Sequence, residues 1–188
     1  MSRSRYVAQA GVIAAVYATF TVIVLQMPYQ LAWGLVQLRV SEALTVLACF
    51  TPAALPGLTL GAFLANAFML TQVGPVALLD MVFGALATLL GAAWTWRWRS
   101  RPALAMAGPV VANALIVPAY LSFILKGLGL YELPFLGISL EGHWLTMYLF
   151  GVVAIGLGEA VVVYGLGLPL HAALRRMGLR WAVDQQGE

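Results

Sequence analysis

The chain has 188 residues, 62% of them hydrophobic and 9% charged, with a mean hydropathy of +0.92. A soluble globule carries about a quarter charged residues, so the composition excludes that class and defines an integral membrane protein with room for about six spans of about 20 residues. The formal net charge is +3; the single cysteine, Cys49, excludes an internal disulfide, and His143 and His171 lie far apart without a cysteine cluster, so a structural metal site has no support.

Met1–Arg5 is a short basic leader into a charge-free run, Tyr6–Leu25. The run is longer than the apolar part of a signal peptide and lacks a small-residue cleavage site, so it reads as the first span, residues 6–25. Ala10, Ala14 and Ala18 recur every four residues and line one helical face. Such a stripe lets a second backbone approach closely, either inside the bundle or from another subunit. Gln26–Trp33 is a turn with Pro28, Tyr29 and Trp33, aromatics suited to an interface or to covering a ligand.

Gly34–Phe50 is the second expected span and carries Arg39 and Glu42 one helical turn apart. A charge at mid-membrane costs about 2.5–3.5 kcal/mol on translocon scales, which marks this run as the floor of a site. Thr51-Pro52 breaks the helix, because proline lacks a donor and forces its predecessor to extended geometry. Residues 52–70 form a third span with Gly57, Gly61 and Asn66; residues 76–96 form a fourth with Asp80, Gly84, Thr88 and Gly91. Arg97, Arg99 and Arg101, interleaved with tryptophans, read as a membrane-surface anchor.

Residues 103–125 form a fifth span with Asn113, Pro118 and Tyr120, and residues 145–171 a sixth with Glu159 and a seven-residue glycine repeat, Gly151, Gly158 and Gly165, expected to give a flat packing face. The connection 126–144 has the length of a lid or linker. Residues 172–188 form a polar tail. The expected fold is one all-α membrane domain of six transmembrane helices over residues 1–188.

Arginine is concentrated at the amino terminus, in the fourth-to-fifth connection and in the tail, whereas the opposite side holds only Lys126. The positive-inside rule therefore places both termini in the cytoplasm and the loop 126–144 outside. At about 1.5 Å per residue, Arg39, Glu42, Asn66 and Asp80 fall in the outer half of the membrane, with Asn113 and Glu159 near the middle. Arg39 against Glu42, Asp80 and Glu159 leaves carboxylates in surplus, which suits a cationic or donor-rich ligand. The plainer alternative pairs Arg39 with Glu42 and gives the others structural roles. Arginine followed by glutamate is the weaker helical order for an ion pair, so a third partner is expected.

The single lysine lacks the glycine loop of a Walker A motif, and no serine, histidine and acid set lies at membrane depth. Binding and passage are therefore favoured over catalysis, and no cofactor is expected.

The runs VQLRVSEALTVL (Val36–Leu47), TPAALPGL, LANAF around Asn66, FGALATLLGA (Phe83–Ala92), VANALIVP around Asn113 and GEAVVVYGLGLPL (Gly158–Leu170) together resemble the QueT family. These are predicted S components, the substrate-binding subunits of energy-coupling factor transporters, assigned to queuosine precursors. The resemblance implies a six-helix bundle in the cell membrane that captures a 7-deazaguanine outside and relies on a transmembrane coupling subunit and two ATPases. It also favours the docking reading of Ala10, Ala14 and Ala18. The guanine-like edge offers N–H donors to a carboxylate. Glu42, Asp80 or Glu159 would take donors, Arg39 would meet a carboxylate or carbonyl, Asn66 or Asn113 would add amide bonds, and Trp33, Tyr120 or Trp144 would stack on the base. A stand-alone proton-coupled carrier and a membrane scaffold are the alternative classes.

Overall fold

In a computed structural model of the chain, the described residues are 2–25, 38–127, 132–133, 138–139 and 144–178. Six helical elements follow one another. They are α1 (Arg3–Leu25), α2 (Val40–Cys49), α3 (Ala54–Val73), α4 (Gly74–Arg97), α5 (Ala107–Gly127, preceded by the single turn Pro102–Ala105) and α6 (Trp144–Arg176). A two-residue antiparallel pair, Glu132–Leu133 with Ile138–Ser139, is the one extended element among the described residues. The expected turn at Gln26–Trp33, the rest of the connection 126–144 and the tail beyond residue 178 lie outside the described residues.

Among the described residues, five helices are long and apolar enough to cross a membrane, and α2 is not one of them. The described part of the second expected span, 38–50, thus holds a short helix that begins at Val40. Arg39 precedes the helix in a non-helical conformation, φ −81° and ψ 83°, and α2 is a ten-residue 3₁₀ helix. At about 2 Å per residue it covers about 20 Å, less than the roughly 30 Å of bilayer hydrocarbon. The tighter winding of three residues per turn stacks side chains at i and i+3, which sets Thr45 beside Glu42. Neighbours surround α2 on most sides, for Ser41, Glu42, Ala43, Thr45, Val46, Ala48 and Cys49 are all buried. Helices α1, α3, α4 and α6 enclose it.

Small residues set the spacing of that enclosure. Gly57 and Gly61 of α3 sit against α1 so closely that a Cβ on either would stand 2.8 Å from a backbone carbonyl, that of Ala10 or Ala14 respectively. Without a hydrophobic drive between helices in lipid, such backbone approach is what holds the pair. The alanine stripe expected to dock a partner is therefore engaged in part within the chain. Ala14 is buried, Ala10 and Ala18 are half-buried, and the outward face of α1 instead presents Gly11, Ala15 and Thr19.

Two π-helical turns interrupt the long helices, Asp80–Gly84 in α4 and Val163–Gly167 in α6. The second corrects the expected glycine face of the sixth span. Gly151 and Gly158 are buried, but the wider turn rotates the chain so that Gly165 is exposed with nothing beside it, and Gly167 packs against Ala43 and Met106 instead.

Candidate functional site

The π turn in α4 begins at Asp80 and aims its carboxylate into the bundle. Carbonyls at both ends of the turn take side-chain donors: Asn66 Nδ2 donates to the Asp80 carbonyl at 2.8 Å, and Thr88 Oγ1 to that of Gly84 at 3.1 Å. Gly84 leaves room for these two side chains, for a Cβ there would stand 2.8 Å from Asn66 Nδ2 and 2.9 Å from Asp80 Oδ1 and one of them would have to shift. Arg39 Nη2 donates to both Asp80 oxygens at 3.1 and 3.2 Å, and the Tyr120 hydroxyl donates to Oδ1 at 2.5 Å. Side-chain exposures of 14% for Arg39 and 5% for Asp80 put this pair in a poorly hydrated setting, where removing one partner leaves a charge without compensation. Among the described residues Arg39 thus pairs with Asp80, from α4, rather than with Glu42.

Glu42 is fully buried and held by hydroxyls. Tyr17 donates to Oε1, Thr45 to Oε2 at 3.1 Å, and Thr88 approaches Oε1 at 3.3 Å. Beside this cage, Thr21 Oγ1 and Ser41 Oγ lie 2.7 Å apart, a second polar tie between α1 and α2. A carboxylate accepting several hydrogen bonds is compensated without a cation.

Glu159 is different. It is 3% exposed, and its hydrogen bond among the described residues is from Asn113 Nδ2 of α5, at 3.1 Å. The other amide atom, Asn113 Oδ1, is buried without a hydrogen-bond partner. Arg39, Asn113, Val117, Ile155 and Glu159 line a crevice too narrow to hold a water molecule. A small cavity of about 20 Å³, room for about one water, is lined by Thr21, Arg39, Ser41, Asn66, Met69 and Asp80 among others. Arg39 borders both.

Of the residues expected at the site, Arg39, Asn66, Asp80 and Tyr120 thus form one cluster, and Asn113 with Glu159 another, with Arg39 lining the space beside each. Glu42 lies in its own hydroxyl cage. Two of the expected aromatics make contacts within the chain. Tyr120 uses its hydroxyl on Asp80 while its ring stacks on Phe83, with centroids 5.9 Å apart. Trp144 is exposed, stacks on Tyr148 and donates its indole N–H to the Ala119 carbonyl at 3.1 Å. Trp33 lies outside the described residues. Sequence reasoning missed Tyr17, Ser41, Thr45 and Thr88 as polar partners. Hydroxyl residues are common in membrane helices, and only the depth they share with Glu42 would have singled them out.

The five membrane-length helices among the described residues, around an enclosed set of ionisable and amide side chains, define a multi-pass membrane protein, and buried charge in such a bundle marks a ligand or ion pathway. A family model described as QueT transporter matches residues 7–176. The chain belongs to the QueT transporter family. Among curated proteins and solved structures, none matches significantly.

Proposed function

We propose that this protein is the substrate-binding S component of an energy-coupling factor importer, and that it captures a queuosine precursor of the 7-deazaguanine class. The observation that carries the reading is the pair of polar clusters meeting at Arg39, inside the bundle of a chain that belongs to the QueT transporter family. A deazaguanine has one edge of N–H donors and a neighbouring carbonyl, and the clusters offer carboxylate and amide acceptors beside a guanidinium. In this reading the protein sits in the cell membrane with both termini cytoplasmic, and substrate enters from the opposite side.

Energy comes from a coupling subunit and two ATPases. The coupling subunit docks on the exposed small-residue face of α1, Gly11, Ala15 and Thr19, rather than on the alanine stripe packed toward α3.

The test is accumulation of labelled 7-aminomethyl-7-deazaguanine in proteoliposomes loaded with ATP. Accumulation that requires the coupling subunit and both ATPases and withstands an uncoupler is expected. Transport by this chain alone, abolished by the uncoupler, would replace the reading with a stand-alone proton-coupled carrier.

A further inference from the structure

The three buried carboxylates among the described residues differ in how far their hydrogen-bonding capacity is filled. Asp80 takes two bonds from Arg39 and one from Tyr120. Glu42 faces the hydroxyls of Tyr17, Thr45 and Thr88. Glu159 takes one bond, from an amide whose own oxygen is left unpartnered. An ionised carboxylate has about four acceptor sites, so Glu159 retains the most capacity of the three.

The arrangement also has a polarity. Asn113 gives its Nδ2 to the carboxylate, so its Oδ1 points elsewhere, and Asn113 and Glu159 both line the narrow crevice beside Arg39. The result is two adjacent acceptors, a carboxyl group and an amide oxygen, within a residue pair that is 1% and 3% exposed. Ligands with acceptors at this position would meet lone pairs against lone pairs; ligands with neighbouring N–H donors would fill both. Arg39 lines the same crevice and supplies the opposite polarity, N–H groups for a carbonyl oxygen. Acceptor, acceptor and donor around one crevice, which a base must part to enter, match a 2-amino-4-oxopyrimidine edge, which presents amine N–H, ring N–H and C=O in that order.

We propose that Glu159 and Asn113 form the specificity subsite of this protein and read the exocyclic amine and ring N–H of such an edge, with Arg39 meeting its carbonyl. The assignment rests on the capture reading above and narrows it. Glu42 and Asp80 become positioning residues, the first holding α2 between α1 and α4 and the second holding Arg39. Guanine-type bases and pterins share this edge, so the subsite selects the edge, and the remainder of the crevice selects among its bearers.

The test is calorimetric titration of the detergent-purified full chain with 7-deazaguanine, with 7-deazahypoxanthine, which lacks the exocyclic amine, and with a simple pterin. Losing a hydrogen bond to a charged group weakens binding by about tenfold or more, and that ratio is expected between the two deazapurines. In Glu159→Gln, whose amide sets an N–H against the ligand's own donors, the ratio is expected to fall to about threefold or less. The comparison of bases uses the wild-type chain and so does not depend on how any variant folds.

Equal binding of the two deazapurines would overturn the subsite and leave the capture reading standing. Binding of neither would remove the capture reading and the subsite together. Binding of the pterin as tightly as the deazaguanine, with the same loss in Glu159→Gln, would uphold the subsite and replace the queuosine precursor as the substrate.

Discussion

Tyr17 and Glu42 meet inside the bundle, the phenol of α1 donating to the carboxylate of α2. Both residues are essentially inaccessible, at 1% and 0% exposure. The bond ties the first helix to the 3₁₀ helix at the centre of the structure.

Tyr17→Phe is expected to lower stability by about 1–3 kcal/mol, because a buried acceptor loses a donor that water cannot replace. Selectivity between bases should be unchanged, since Tyr17 lines neither the cavity nor the crevice. Thermal unfolding in detergent, set beside the calorimetric titration of the same variant, separates the two effects.

Arg39→Ala and Asp80→Ala are each expected to destabilise the protein by about 3 kcal/mol, the lower end for a broken buried pair because the arginine keeps 14% exposure. The double variant should fall short of the summed losses by about 1–3 kcal/mol, as coupled partners do. Denaturant titration in micelles supplies the four stabilities of the cycle. Arg39→Ala should also weaken deazaguanine binding by about tenfold or more.

Gly61→Ala is expected to cost about 1–3 kcal/mol, since its methyl group would meet the Ala14 carbonyl at 2.8 Å and a backbone atom cannot rotate aside. An unchanged melting temperature would show that α1 and α3 have more latitude than the close contact implies.

Ala15→Trp and Ala14→Trp should separate the two faces of α1. Ala15 is exposed, and the bulky side chain there is expected to leave the melting temperature and ligand binding intact while abolishing co-purification with the coupling subunit. At Ala14, which is 3% exposed, the same change is expected to disrupt the bundle itself.

Hydropathy and length made five of the spans legible, because a bilayer imposes its thickness on any helix that crosses it. The polar residues of the site were legible too, as each ionisable group inside an apolar run stands out by cost alone. Their partners were not. Arg39 and Asp80 are forty-one residues apart, and nothing in the spacing of either helix encodes which of three carboxylates the guanidinium reaches. The weaker helical order of Arg39 and Glu42 did point away from that pair.

The failures on local geometry share one origin, the assumption of a uniform α-helical pitch. Reading Gly34–Phe50 at 3.6 residues per turn placed Arg39 on a helix that starts only at Val40. The same pitch carried the glycine repeat through Val163–Gly167, where the chain winds more widely. For Ala10, Ala14 and Ala18 the spacing identified a close-packing face, but periodicity does not say whether the neighbour belongs to the same chain.

The wide turn in α6 also bears on how the chain tolerates changes in length. Removing one residue from an ordinary packed helix swings everything downstream by about 100°, which in a bundle exchanges the core and lipid faces. A turn that already holds a surplus residue can give it up and become α-helical with both flanks still in register. A single deletion within Val163–Gly167 is thus a change α6 can absorb. The matching deletion within Asp80–Gly84 would leave α4 continuous but undo the wide turn from which Asp80 meets Arg39.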